Sequence, residues 1–328
     1  MRRRDFIGII VGSAAWPIVA SAEQPERVRR IGVLLNRAAD DPEGQTRLAA
    51  IKQGLQRLGW TDGGNVRIDT RWGADDVDSH RRYAAELVAL APDIIFAGGT
   101  LGVMAAQHAT RALPIVFVGV TDPIGAGVVN NLARPDGNVT GFMIYEYSLG
   151  GKWLELLKQI APSITRAAVL RDATNPAGIA LFGAIQAAAQ SIGMNASPIG
   201  MQDGGEIERA MTAFARSPNG GLIVTPSASA STHRELILGL ASRYKMPAVY
   251  YQRYFVDKGG LMFYGHDDLR QYSDAAHYVD RILKGESPGD LPVQAPTKYD
   301  LVINLKTAKA LGLTIPNTLI GRADQVIE

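Results

Sequence analysis

The chain has 328 residues, an ordinary apolar share of 46% and 35 glycines, enough to build two domains with substantial cores. Formal charge is +2, and setting aside Arg2, Arg3, Arg4 and Asp5 removes three positive charges and one negative, leaving none. A neutral body offers nucleic acid no basic surface, and the lack of cysteine excludes disulfides, thiol nucleophiles and thiolate metal sites.

Residues 1–22 read as an export signal, with Arg2 to Arg4 as its charged end, an apolar stretch over 6–19 and small residues for cleavage near Ala22. Arg3-Arg4-Asp5-Phe6-Ile7 also resembles the twin-arginine variant of such signals. Without a cysteine to carry a lipid, the product should be a free protein of the periplasm.

Residues 31–35 form an apolar first strand with Asn36 at its tip. Asp40 to Glu43 supplies a helix start with Pro42 in its first turn, and Leu48, Ile51, Leu55 and Leu58 share one helical face up to Gly59. Val66, Ile68, Thr70 and Trp72 alternate with Arg67, Asp69 and Arg71, the period of a strand with one wet face. Ser79 is placed to cap a helix reaching Leu90.

The stretch 93–123 carries the most information. Ile94, Ile95, Phe96 and Ala97 form a strand buried on both faces, which stops at Gly98-Gly99-Thr100. A helix over 101–111 and a second buried strand over 115–120 complete a βαβ unit. Such units hold ligands at the carboxyl ends of their strands, where helix N-termini present free N–H groups. Gly99 and the Thr100 hydroxyl suit an anion there, and the Asp122 carboxylate suits a cation. Together they suit a small zwitterion.

Residues 138–147 read as a strand leaving the first lobe, and Trp153, Leu156, Leu157 and Ile160 as the core face of a helix. A strand over 167–170 ends in a tip containing Asn175-Pro176, followed by a helix over 177–192, a strand over 196–199 and a helix over 206–215. The earlier grammar then recurs: a strand over 222–225, the tip Pro226-Ser227-Ala228-Ser229, one helical stretch to Tyr244, and Met246-Pro247 before an apolar run over 248–251. The repetition predicts two similar α/β lobes that share a cleft. A return crossing over 261–264, a helix over 269–283, a strand over 300–304 and a helix over 305–311 follow. Crossings near Tyr145, Tyr254 and Pro292 are expected to form the hinge.

Candidate contacts therefore lie at strand tips: Asn36, Gly99, Thr100, Asp122, Asn175, Ser227 and Ser229. Each hydroxyl, amide or carboxylate among them could equally be a helix cap. Trp72, Tyr145, Tyr250 and Tyr251 are candidates for an aromatic wall. The five histidines show no metal-ligand spacing, and HEXXH, GXSXG and GXXXXGK[ST] are missing, so no metal or cofactor is expected and nothing asks for an enzyme. An exported α/β enzyme acting on a small polar substrate, and a ligand-sensing module for a membrane receptor, stay open as alternatives.

Several stretches resemble the exported substrate-binding proteins of ABC transporters of the tryptophan/tyrosine uptake type. They are Arg30-Ile-Gly-Val-Leu34, Ala97-Gly-Gly-Thr100, Pro114-Ile-Val-Phe-Val118, Asp122-Pro-Ile-Gly-Ala-Gly127, the stretch 132–141, Gly259-Gly-Leu-Met262, and above all 296–313, PTKYDLVINLKTAKALGL. The resemblance implies a type I periplasmic-binding fold of two Rossmann-like lobes with parallel sheets joined by a hinge. It also implies delivery of a solute to a membrane permease. The solute is expected to be a small zwitterion, an aromatic or branched amino acid or a derivative, and the protein a monomer. The family's GGT loop falls on Gly98 to Thr100, its DP turn on Asp122-Pro123 and its second-lobe Asn-Pro on Asn175-Pro176. Arg171-Asp172 and the 226–229 loop depart from the common pattern. The lobes are expected to comprise residues 28–143 with about 266–291, and 144–265 with about 292–328.

Overall fold

The computed structural model describes residues 27–328 except 75, 136 and 267. The expected export signal therefore lies outside the described residues.

Two sheets organise the chain. The first is built from β1 (Arg29–Leu35), α1 (Pro42–Arg57), β2 (Val66–Trp72), α2 (Val77–Ala89), β3 (Ile94–Gly98), α3 (Gly99–Ala109), β4 (Ile115–Val120) and β5 (Val139–Met143). Its five strands run parallel in the order β2-β1-β3-β4-β5. Helices cover both faces, so β3 is buried throughout, as its unbroken apolar run requires.

The second sheet follows from α4 (Leu149–Ile160), β6 (Arg166–Arg171), α5 (Pro176–Ser191), β7 (Asn195–Gly200), α6 (Gly204–Ala215) and β8 (Gly220–Val224). Then come α7 (Ala228–Thr232), α8 (Arg234–Arg243), β9 (Ala248–Tyr250), α9 (Arg253–Asp257) and β10 (Met262–Gly265). The helix α10 (Asp268–Leu283) leaves this sheet and packs on the first. After it, β11 (Asp300–Asn304), α11 (Leu305–Ala310), α12 (Asn317–Ile320) and β12 (Gln325–Ile327) return to the second. The order is β12-β11-β10-β9-β8-β6-β7, parallel except that β11 runs against β10.

Each sheet has its own apolar core. Trp153, Leu156, Leu170, Ile223 and Val249 belong to the second. Tyr272, Ala275, Ala276 and Val279 of α10 join Ile31, Ile51, Phe96 and Val118 in the first. The two helices α1 and α10 lie so close that a Cβ on Gly54 would stand 2.7 Å from the Ala276 Cβ. This packing fixes the start of α10 against the carboxyl ends of the first sheet.

Several local expectations need correction. The helix after β3 starts at Gly99, not at 101, so the Gly-Gly-Thr tip is itself the helix N-terminus. Asp76, not Ser79, caps α2, and the Ser79 hydroxyl donates to Asp76 at 2.6 Å. The strand over 138–147 is short, ending at Met143, because the following residues form the crossing between the sheets. The helix expected up to Tyr244 breaks at His233 into α7 and α8. At the end of α7 the Thr232 hydroxyl bonds the Ala228 carbonyl four residues back, and such local bonding competes with helix continuation. Tyr254 is not at a crossing: it sits on α9, donating its hydroxyl to Glu235 at 2.9 Å. The chain instead passes back between β10 and α10.

Candidate functional site

The carboxyl ends of the two sheets face each other across a cavity of about 50 Å³, several times the roughly 10–15 Å³ that one ordered water needs. Nearly every wall is a strand tip, the place where open parallel sheets hold ligands. From the first sheet come Asn36 and Arg37 after β1, Gly99 and Thr100 after β3, and Thr121 after β4. From the second come Asn175 after β6, Pro226 and Ser227 after β8, and Tyr251 after β9. Arg47 of α1, Ile144 of the crossing, Gln271 and Tyr272 of α10, and the small residues Gly119 and Ala177 complete the lining.

Two glycines make this geometry possible. Gly99 has φ +73°, and a Cβ there would lie 2.5 Å from the Asn36 Nδ2, so only glycine lets the Asn36 amide rest on the start of α3. Gly119, at φ +78°, accompanies a register shift between β4 and β5 that re-aims the end of β4 towards Thr121.

The cavity's polar atoms divide into those already used and those left over. Asn175 Oδ1 accepts from the Ala177 N–H at 3.0 Å and Ser227 Oγ from the Ala230 N–H at 2.9 Å, so both cap the helices that follow them. The Tyr251 hydroxyl is 2.9 Å from Ser231 Oγ and 3.3 Å from the Ser227 carbonyl oxygen. Arg37, only 4% exposed, reaches that same oxygen with Nη1 at 3.5 Å. By contrast Arg37 Nε, Asn36 Oδ1 and Gln271 Oε1 are buried with no hydrogen-bond partner. Buried polar groups are normally paired, and one left unpaired costs about 1–3 kcal/mol.

The predicted contacts are sorted by this arrangement. Asn36, Gly99, Thr100, Asn175, Ser227 and Tyr251 line the cavity together. Asp122 does not: its Oδ1 accepts from the Gly125 N–H at 2.8 Å, closing its own turn with φ +42°. Its charge acts instead on Tyr147, whose hydroxyl pKa is pushed upward first by burial and then by Asp122. Trp72 does not line the cavity but packs on the first core, where Gly44 leaves room for it beside the Arg37 Cβ. Tyr145 is buried in the crossing, edge-on to Trp153 and His266. Ser229 turns to the Met201 carbonyl, and Tyr250 stacks on Phe255 in the second core.

Arg37, Arg47, Gln271 and Tyr272 escaped the reading of the sequence. Arg37 directly follows Asn36; Gln271 and Tyr272 lie on a helix expected in the first lobe, but no local pattern shows that its first turn reaches the cavity. The lobes also meet at a partly buried ion pair, Arg234 Nη1 to Asp41 Oδ1 at 3.3 Å. Among the described residues, no helix is long and apolar enough to cross a membrane and no group of three histidine, aspartate or glutamate side chains could hold a metal ion.

Residues 39–327 match the family described as ABC transporter substrate binding protein. A tyrosine-binding protein of Clostridioides difficile (strain R20291) is 27% identical over 259 residues, which are 79% of this chain and 74% of that one. The crystal structure of an ABC domain in complex with L-Trp from Streptococcus pneumonia is 26% identical, covers 91% of this chain and 99% of its own, and superposes with a TM-score of 0.82. The ligand-free, open structure of the Clostridium difficile substrate-binding protein CD0873 is 25% identical, covering 92% of this chain and 99% of its own. It superposes with a TM-score of 0.64. The fold is that of the type I periplasmic-binding proteins.

Proposed function

The chain belongs to the ABC transporter substrate-binding protein family, a solute-binding rather than an enzyme family, and from that premise we propose that its solute is an amino acid carrying an aromatic side chain, or a close derivative. The observation that carries this reading is the set of unpaired atoms in the interlobe cavity. One buried donor, Arg37 Nε, asks for an acceptor, and two buried acceptors, Asn36 Oδ1 and Gln271 Oε1, ask for donors. The carboxylate of a zwitterion satisfies the first and its ammonium the other two. Thr100 and the N–H groups opening α3 support the carboxylate. The rings of Tyr251 and Tyr272 and the Ile144 side chain give the remainder of the solute apolar surface. The tyrosine- and tryptophan-binding relatives support an aromatic side chain.

The solute acts by closure. It touches both lobes, so it binds the closed form more tightly than the open one and shifts the population towards the shape that a membrane permease accepts. The superposition, better on the L-Trp complex than on the open relative, agrees with the lobes standing closed here. The chain works as a free monomer in the periplasm after removal of its signal.

The test is calorimetric titration of the purified protein, first refolded free of carried-over solute, with L-tyrosine and L-tryptophan. Saturable binding at one site per chain supports the reading. Failure of both, with a non-amino-acid metabolite retained in native mass spectrometry, would replace it.

A further inference from the structure

Gln271 stands where the cavity meets the hinge. It is 8% exposed, in the first turn of α10, and its two polar ends face different partners. The Nε2 donates to the Met143 carbonyl oxygen at 2.8 Å, a buried bond spanning 128 residues of sequence. Met143 is the last residue of β5, where the chain leaves the first sheet for the second. The neighbouring crossing is held on both sides: the Ile144 N–H donates to Val120 at 2.9 Å, the Tyr299 hydroxyl reaches the Ile144 carbonyl at 3.4 Å, and the Asp122 N–H donates to Tyr145 at 2.8 Å. The other end of the amide, Oε1, is buried without a partner in the cavity wall. The donor bond to Met143 fixes which end faces the solute.

We infer that Gln271 couples occupancy to closure: Oε1 accepts a hydrogen bond from the ammonium of the solute while Nε2 grips the carbonyl at the start of the crossing. This rests on the amino-acid reading above and extends it. A donor placed on Oε1 polarises the amide and strengthens the bond made by its N–H, because linked hydrogen bonds reinforce one another. The group that recognises the ammonium is thereby the group that holds the hinge. A positioning role of this kind also sets specificity, since an acid without an ammonium leaves Oε1 unsatisfied.

The experiment uses L-tyrosine and L-tryptophan with their des-amino analogues, 3-(4-hydroxyphenyl)propionate and indole-3-propionate. Affinity is read by calorimetry and closure by fluorescence transfer. The chain has no cysteine, so labels enter only at Val28→Cys and Ile192→Cys, exposed positions in the two lobes. Gln271→Met should weaken the amino acid about tenfold or more and the des-amino acid less than threefold. Gln271→Glu keeps an acceptor for the ammonium but cannot donate to Met143. It should bind the amino acid within about threefold of the unaltered chain yet show less than half the closure signal at saturation. Equal losses for both ligands in Gln271→Met, or full closure in Gln271→Glu, would overturn the inference and leave the amino-acid reading standing. Should Gln271→Met not fold, the Gln271→Glu closure signal decides alone. Failure of the unaltered chain to bind either amino acid would overturn the reading and the inference together.

Discussion

The guanidinium of Arg37, on the loop after β1, lies 3.5 Å from the main-chain oxygen of Ser227, 190 residues further along at the tip of β8. One side chain thus spans the cleft, bonded to the second lobe through Nη1 while its Nε is left for a solute. A charge-assisted hydrogen bond contributes about 1.5–3 kcal/mol net. Arg37→Gln should therefore raise Kd for the amino acid about ten- to a hundredfold in calorimetry. An unchanged Kd would remove Arg37 from the site.

Asp122 is expected to behave differently. Its carboxylate closes the turn to Gly125, and its backbone adopts a left-handed conformation that aspartate and asparagine tolerate better than alanine. Asp122→Ala should lower stability by about 1–2 kcal/mol in urea titration while solute affinity moves less than about threefold. Asp122→Asn should approach the unaltered protein in both measurements.

This contrast shows what the sequence could carry. The βαβ pattern around 93–123 and its echo around 217–251 located both sets of strand tips, because a parallel sheet forces the ligand to that edge. Asn36, Gly99, Thr100, Asn175, Ser227 and Tyr251 were legible for that reason. Which tip residue faces the cavity and which merely caps its own turn depends on φ and on local bonds, so Asp122 read like Thr100. Gln271 and Tyr272 were missed for a different reason. The lobe of their helix was expected, but which turn of α10 reaches the strand tips is set by its packing on α1, a tertiary choice with no counterpart in the periodicity of residues 269–283.

Gly99 provides a steric test. A methyl group there meets the Asn36 amide at 2.5 Å on a backbone with φ +73°. Gly99→Ala should displace Asn36 and weaken binding at least about tenfold, since a misplaced acceptor forfeits a hydrogen bond to a charged group. Full affinity by calorimetry would show that Asn36 can shift without loss.

The Arg234–Asp41 pair joins the lobes, and neither residue lines the cavity. Its removal should favour the open form before any solute arrives. Arg234→Ala should increase the radius of gyration of the solute-free protein in X-ray scattering, and the apparent affinity should fall in proportion to the closed population lost. Scattering curves identical to those of the unaltered protein would show that the pair does not hold the lobes.

Acid sensitivity follows from the cap of α2. The Asp76 carboxyl is held below its usual 3.8, first by the Ser79 hydroxyl and then by the Asp78 N–H. A depressed folded pKa means stabilisation that is complete above 3.8 and fades as pH falls through the lower folded value. At pH 7, Asp76→Ala should cost about 1 kcal/mol, the ordinary worth of a helix N-cap. The gap between the two proteins should narrow as the solution is taken below pH 3.8, measured by urea titration at each pH.

The most direct measurement is a crystal structure of the protein grown with L-tyrosine or L-tryptophan. The carboxylate should lie within hydrogen-bond reach of Arg37 Nε and the ammonium within reach of Asn36 Oδ1 and Gln271 Oε1, with the ring between the lobes. Electron density for the amino acid anywhere outside that cavity, or inside it with its charged groups turned away from those three atoms, would contradict the account.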